Sequence, residues 1–177
     1  MSARLMALCC LLILAVLPGW TGSNSASSPN LVLYLKTAPS QPQGPVNVMK
    51  REVDALMSSA GFRVEWRDEH SASRNAEDAE LVVVELRPAS RDAALASTAI
   101  SNGKVLPFSW VNCDALARLL GPQPDFIYGR AMARLLAHEL YHVTAHTREH
   151  GRAGISKPAF SRRELLSERF DFAPGTW

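Results

Sequence analysis

Cysteine is scarce and poorly placed for crosslinking. There are three, and Cys9 and Cys10 lie in the apolar start of the chain, which leaves Cys113 alone in the remainder. With that start removed, an intramolecular disulfide is excluded and stability must come from a packed core. Cys113 itself reads as a small buried side chain rather than a catalytic thiol. Charge of one sign is also lacking. Lys and Arg number 19 against 17 Asp and Glu, a formal +2 scattered along the chain, which argues against a nucleic-acid partner. No apolar run reaches the roughly 20 residues of a spanning helix, and neither an internal repeat nor a second domain is evident. Histidine is rare as well, with five in the chain, yet four of them fall between His138 and His150.

The start of the chain has the form of an export signal. Arg4 supplies a positive charge, Leu5 to Leu17 is almost unbroken apolar sequence, and small residues follow from Thr21 to Ala26. Residues 1–25 are therefore expected to be a cleaved signal peptide, with cleavage after Ser23 or Ser25. A membrane anchor and a lipid-modified cysteine are the rival readings. Residues 26–177 are expected to form one domain, secreted or periplasmic, monomeric, and without stable membrane insertion after cleavage.

Leu31 to Leu35 reads as a buried strand, and Thr37 to Pro45, with three prolines and a glycine, as a loop. From Val46 the apolar residues Met49, Val53, Leu56 and Met57 recur at helical spacing, and Gly61 stops that helix. Phe62 to Trp66 alternates as a second strand, which would complete a right-handed parallel strand–helix–strand unit. His70 reads as a solvated loop residue. Leu81 to Leu86 is the strongest strand signal, Ala94 to Ile100 a weaker edge strand, and Ser101-Asn102-Gly103 a turn. Val105 to Val111 reads as another strand, with Pro107 placing it at an edge or a strand start. A short helix, capped by Asn112 or Asp114, runs to Leu120. Asp125 is the expected N-cap of a long helix. On it Ala131, Leu135, His138, Glu139 and His142 share one arc, whereas Arg130, Arg134 and Tyr141 face away. Ser161-Arg162-Arg163-Glu164 has the capping-box pattern and predicts a final helix from Arg162 to Phe170. Together these elements describe an α+β domain.

His138-Glu139-Leu140-Tyr141-His142 on a helix sets two imidazoles one turn apart on the same side, with a carboxylate beside them. This arrangement binds Zn²⁺ and activates water for hydrolysis. His138, His142 and His146 on one straight helix would span about 12 Å along its axis, too far for one ion, so the helix must end after His142 and the chain return. His150, followed by Gly151, is the expected third ligand. His146 after an early helix break, or a carboxylate from Glu164 or Glu168, are the alternatives. Glu139 is the expected general base, and Tyr141 is on the wrong face to act as an oxyanion donor.

The motif, a later histidine, a glycine turn and a terminal helix resemble the zincin peptidases, and within them metzincin-like secreted bacterial proteins. The chain departs from metzincins in three places. Arg148 stands at the third-ligand position, Ala145 at the glycine position, and no methionine follows Met132. Gly154-Ile155-Ser156-Lys157 could supply the floor turn, with Ser156 where methionine would sit. The resemblance implies a small mixed, twisted sheet packed on an N-terminal helix and the motif helix. It further implies a secreted zinc metallopeptidase that takes a peptide or protein substrate, with His138, His142 and His150 as metal ligands. A non-catalytic zinc-binding protein on the same scaffold, and a zinc amide hydrolase acting on cell-wall peptide, are the other functions this resemblance leaves open.

Overall fold

The computed structural model describes residues 30–68, 79–88 and 93–177. The expected signal peptide, with Cys9 and Cys10, and the loop residue His70 lie outside the described residues. Strand β1 (Asn30–Thr37), helix α1 (Gln43–Ser59) and strand β2 (Arg63–Asp68) follow the expected order, and the two strands pair in parallel with Leu33 opposite Trp66. Helix α1 begins ahead of its first periodic apolar residue because Pro45 fits the first turn, where an N–H has no intrahelical partner anyway. Strand β3 (Ala79–Arg87) lies parallel to β1 on its other side.

Strands β4 (Ala96–Ser101) and β5 (Lys104–Asn112) form a hairpin. Asn102 and Gly103 both have positive φ, 49° and 77°, the conformation that matches the twist of two directly linked strands. The sheet order is β2-β1-β3-β5-β4, parallel throughout except for β4, the antiparallel edge. With helices α2 (Cys113–Leu120), α3 (Asp125–Thr144) and α4 (Arg162–Leu166), the described residues form an α+β arrangement, a five-stranded mixed sheet with four helices. Among the described residues no helix is long and apolar enough to cross a membrane.

The core lies between one sheet face and the helices. Leu31, Leu33 and Leu35 of β1, and Val82, Val84 and Leu86 of β3, meet Met49, Val53 and Met57 of α1 and Met132, Leu136 and Leu140 of α3. Leu81 and Val83, on the opposite face of β3, are 42% and 38% exposed. The apolar run Leu81 to Val84 therefore alternates in burial, as expected for a sheet with helices packed on one side. Helices α1 and α3 touch at Gly129, where a Cβ would stand 2.5 Å from the Pro45 carbonyl oxygen. Glycine permits this approach.

Four expectations are corrected. First, β5 is an interior strand, despite Pro107. The proline falls where the β4–β5 register slips: Ile100 pairs with Val105 but Thr98 pairs with Ser109. Pairing with β3 starts only at Phe108, so no ladder bond requires the missing N–H. Second, Asp125 is inside α3 and Pro124 holds the capping position, with no side-chain cap. The carboxylate of Asp125 turns toward Gly44 in the first turn of α1. Third, the side of α3 expected to face away is covered. Arg134 and Tyr141 are 3% and 8% exposed, because the C-terminal segment folds back over them and sets Trp177 5.3 Å from the Tyr141 ring. Fourth, α4 ends at Leu166 rather than Phe170. Arg134 Nη1 donates to the carbonyls of Glu164 and Leu165, both at 2.9 Å, and these are the acceptors that a longer helix would need.

Candidate metal centre

The last turns of α3 carry the motif, and they are buried because α3 is enclosed on nearly every side. His138, Glu139 and His142 are each under 9% exposed. The one-turn spacing directs both imidazoles to the same side, with ring centroids 4.8 Å apart. Past Thr144 the helix stops. His146 takes a left-handed φ of 47°, and the Thr147 N–H reaches back to the His142 carbonyl at 3.1 Å. This reversal swings the chain round and sets the exposed His150 ring 5.3 Å from His138 and 4.8 Å from His142. The candidate ligand atoms of the three histidines all lie within 4.8 Å of one another. His146 and Glu168 fall outside this group, and Glu164 is bonded to Lys157 and to Ser161 in its capping box.

The hydrogen bonds define the state of the two buried rings. His138 Nδ1 is 2.7 Å from the Ile155 carbonyl oxygen, and His142 Nδ1 is 2.9 Å from that of Thr147. A carbonyl only accepts, so each Nδ1 carries the proton and each neutral ring presents a bare Nε2. Those two Nε2 atoms face each other at 3.1 Å. Between neutral rings with both protons on Nδ1, this contact cannot be a hydrogen bond; it sets lone pair against lone pair. A shared cation would resolve it. Two nitrogens bound tetrahedrally at 2.0–2.1 Å lie about 3.3 Å apart, close to the spacing seen here. The donor set therefore fits a zinc-sized ion, with the Ile155 and Thr147 carbonyls fixing ring orientation as outer partners do in metal sites.

Burial pushes His138 down to about 4, against the pull of the Ile155 carbonyl and together with its two histidine neighbours. His142 is lowered too, first by burial, with the Thr147 carbonyl opposing and His150 assisting. Both rings thus stay unprotonated and able to ligate at neutral pH. Glu139 moves the other way. Burial pushes its carboxyl up to about 7, and only the bond from Thr98 restrains it. Thr98 Oγ1 donates to Glu139 Oε2 at 2.8 Å and lies 2.9 Å from Ser109 Oγ.

A cleft of about 540 Å³ opens over the cluster. Leu95, Ala96 and Thr98 line it from β4 and the residues leading into it, with Pro158, Ala159 and Phe160 also contributing. The Phe160 ring meets His138 edge-on at 5.3 Å. The turn from Gly154 to Lys157, expected as the floor, lies beneath His138 and supplies the Ile155 carbonyl. Gly154 has a φ of 64°, and a Cβ there would be 2.5 Å from the Asp171 carbonyl oxygen; the C-terminal segment is thus pressed against the turn. Ser156, in the expected methionine position, is 1% exposed.

Thr98 and Ser109 were not singled out in the sequence. The Asn102-Gly103 turn alone pairs Thr98 with Pro107, and only the register slip brings Ser109 opposite. Cys113 is buried as expected, and burial pushes its thiol up to about 11, which suits packing rather than nucleophilic attack. In comparisons with known proteins, no family model matches the chain and no curated protein matches it.

Proposed function

We propose that the protein is a secreted zinc-dependent hydrolase of the zincin type that cleaves peptide bonds. The observation that carries this reading is the pair of bare Nε2 atoms 3.1 Å apart beside a buried glutamate on the same helix. His138 and His142 would hold zinc through Nε2, and His150 through a ring nitrogen. A bound zinc supplies Lewis acidity, which acidifies water and polarises a carbonyl.

The remaining chemistry belongs to the chain. Thr98 holds Glu139 Oε2, and Oε1 has no hydrogen-bond partner among the described residues. Oε1 is therefore the atom that takes the proton from the attacking water and delivers it to the leaving amine nitrogen. A carboxyl raised to about 7 exchanges that proton readily near neutral pH. Strand β4 is the sheet edge beside the cleft and has one side without a strand partner among the described residues. An extended peptide adds there by backbone pairing. The retained glutamate favours this reading over a purely structural zinc site, which closes its fourth position with a protein ligand.

The test is zinc stoichiometry together with hydrolysis of a peptide library. Glu139→Gln should hold one equivalent of zinc and lose at least about 100-fold in rate; undiminished hydrolysis would remove the general base from the scheme. His150→Ala should bind zinc more weakly, and unchanged affinity would reassign the third ligand. Zinc binding without hydrolysis by the parent chain would leave a non-catalytic zinc protein.

A further inference from the structure

Three charged side chains line the cleft besides the histidines: Glu139, Arg148 and Lys157. Two are already engaged. Glu139 is bonded to Thr98, and the Lys157 ammonium pairs with Glu164 and lies 5.7 Å from the Phe170 ring centre. Arg148 is exposed and makes no hydrogen bond or ion pair among the described residues. Its charge is the uncommitted one. Its position is set by the same reversal that forms the histidine cluster, since it falls between Thr147, whose carbonyl orients His142, and His150. Arg148 thus lines the cleft from the segment that also brings His150 to the other two histidines.

We infer that Arg148 is a specificity-determining residue that receives a carboxylate of the bound peptide close to the bond being cleaved, an inference that rests on the hydrolase reading above. The guanidinium presents paired N–H donors whose geometry matches a carboxylate, and the cleft offers no competing acidic side chain except the engaged Glu139. The carboxylate can come from an acidic side chain or from the C-terminus of a short substrate.

The experiment uses fluorescent peptides of one neutral sequence, with a single glutamate or glutamine walked along it and the C-terminus free or amidated. Affinity is measured by anisotropy on the zinc-loaded Glu139→Gln chain and repeated on the metal-free chain. The expected result is about tenfold tighter binding of the carboxylate over its amide counterpart, with or without metal. This preference should be abolished by Arg148→Ala and partly kept by Arg148→Lys. A preference that follows the glutamate identifies the side chain, and one that follows amidation identifies the terminus. Equal binding of acid and amide, or a preference that survives Arg148→Ala or requires zinc, overturns the inference. Hydrolysis without acid preference would remove this inference and leave the hydrolase. Acid preference in a parent chain that cleaves no peptide would do the reverse.

Discussion

Replacing Thr98 by valine tests the site through one oxygen atom. Valine keeps the shape of threonine, so no cavity opens, but it removes the hydroxyl that lies 2.8 Å from Glu139 Oε2 and 2.9 Å from Ser109 Oγ. Thr98, Ser109 and Glu139 are all buried, so water does not readily replace the lost donor. A hydrogen bond to a charged group contributes about 1.5–3 kcal/mol and one between neutral groups about 0.5–1.5 kcal/mol. The cost should therefore depend on whether Glu139 is ionised. The Thr98 bond lowers a carboxyl that burial has raised to about 7, so it favours the charged form, and its removal raises that carboxyl further. We expect the metal-free variant to lose about 2–3 kcal/mol above pH 8 and about 1 kcal/mol near pH 5.5. Urea unfolding at the two pH values, with a chelator present, measures both numbers. An equal loss at both would show that Thr98 does not sense the charge on Glu139, and the assigned bond would be wrong.

Arg134 separates the sequence reading from the structural one. On a solvated face, Arg134→Ala would change stability by about 0.5 kcal/mol at most. Buried, with the Leu165 carbonyl left unmet while Ser167 still serves that of Glu164, it should cost about 2 kcal/mol or more in denaturant unfolding. The acid response of the metal-free chain gives a further check. His138 is lowered from 6.5 to about 4, so the unfolded chain takes up a proton there first and stability falls as pH drops through that window, by about 3 kcal/mol. Glu139 is raised from 4.5 to about 7, so its contribution runs the opposite way, gaining as pH falls toward 4.5. The two offset each other in the parent. In Glu139→Gln the histidine acts unopposed, so urea unfolding should show a steeper acid loss than in the parent; equal slopes in the two proteins would contradict the assigned shifts.

Much of the site's placement was readable because it rests on local rules. Helical spacing alone sets His138 and His142 on one side of α3, and rise per residue alone requires the chain to turn before a third histidine can meet them. The turn does occur after Thr144, and His150 does come to the cluster. The capping box at Ser161 and Glu164 was likewise legible, since both partners lie within one turn. The extent of that helix was not. Its end is set by Arg134, about thirty residues earlier in the chain, which no local pattern connects to it.

By itself the sequence determined the elements, their order, the one-turn spacing of the two imidazoles with their carboxylate, and the need for the chain to return. These follow from periodicity, capping and helix geometry, which act over a few residues. Only the tertiary structure decided which atoms meet. The carbonyls of Ile155 and Thr147 leave both Nε2 atoms bare, a register slip brings Thr98 and Ser109 together beneath Glu139, and the C-terminal segment buries the far side of α3. Each is a long-range contact or a backbone reversal, and burial is a property of the packed whole. The proton positions and pKa shifts at the site come from that packing, so they became visible only once the chain was folded.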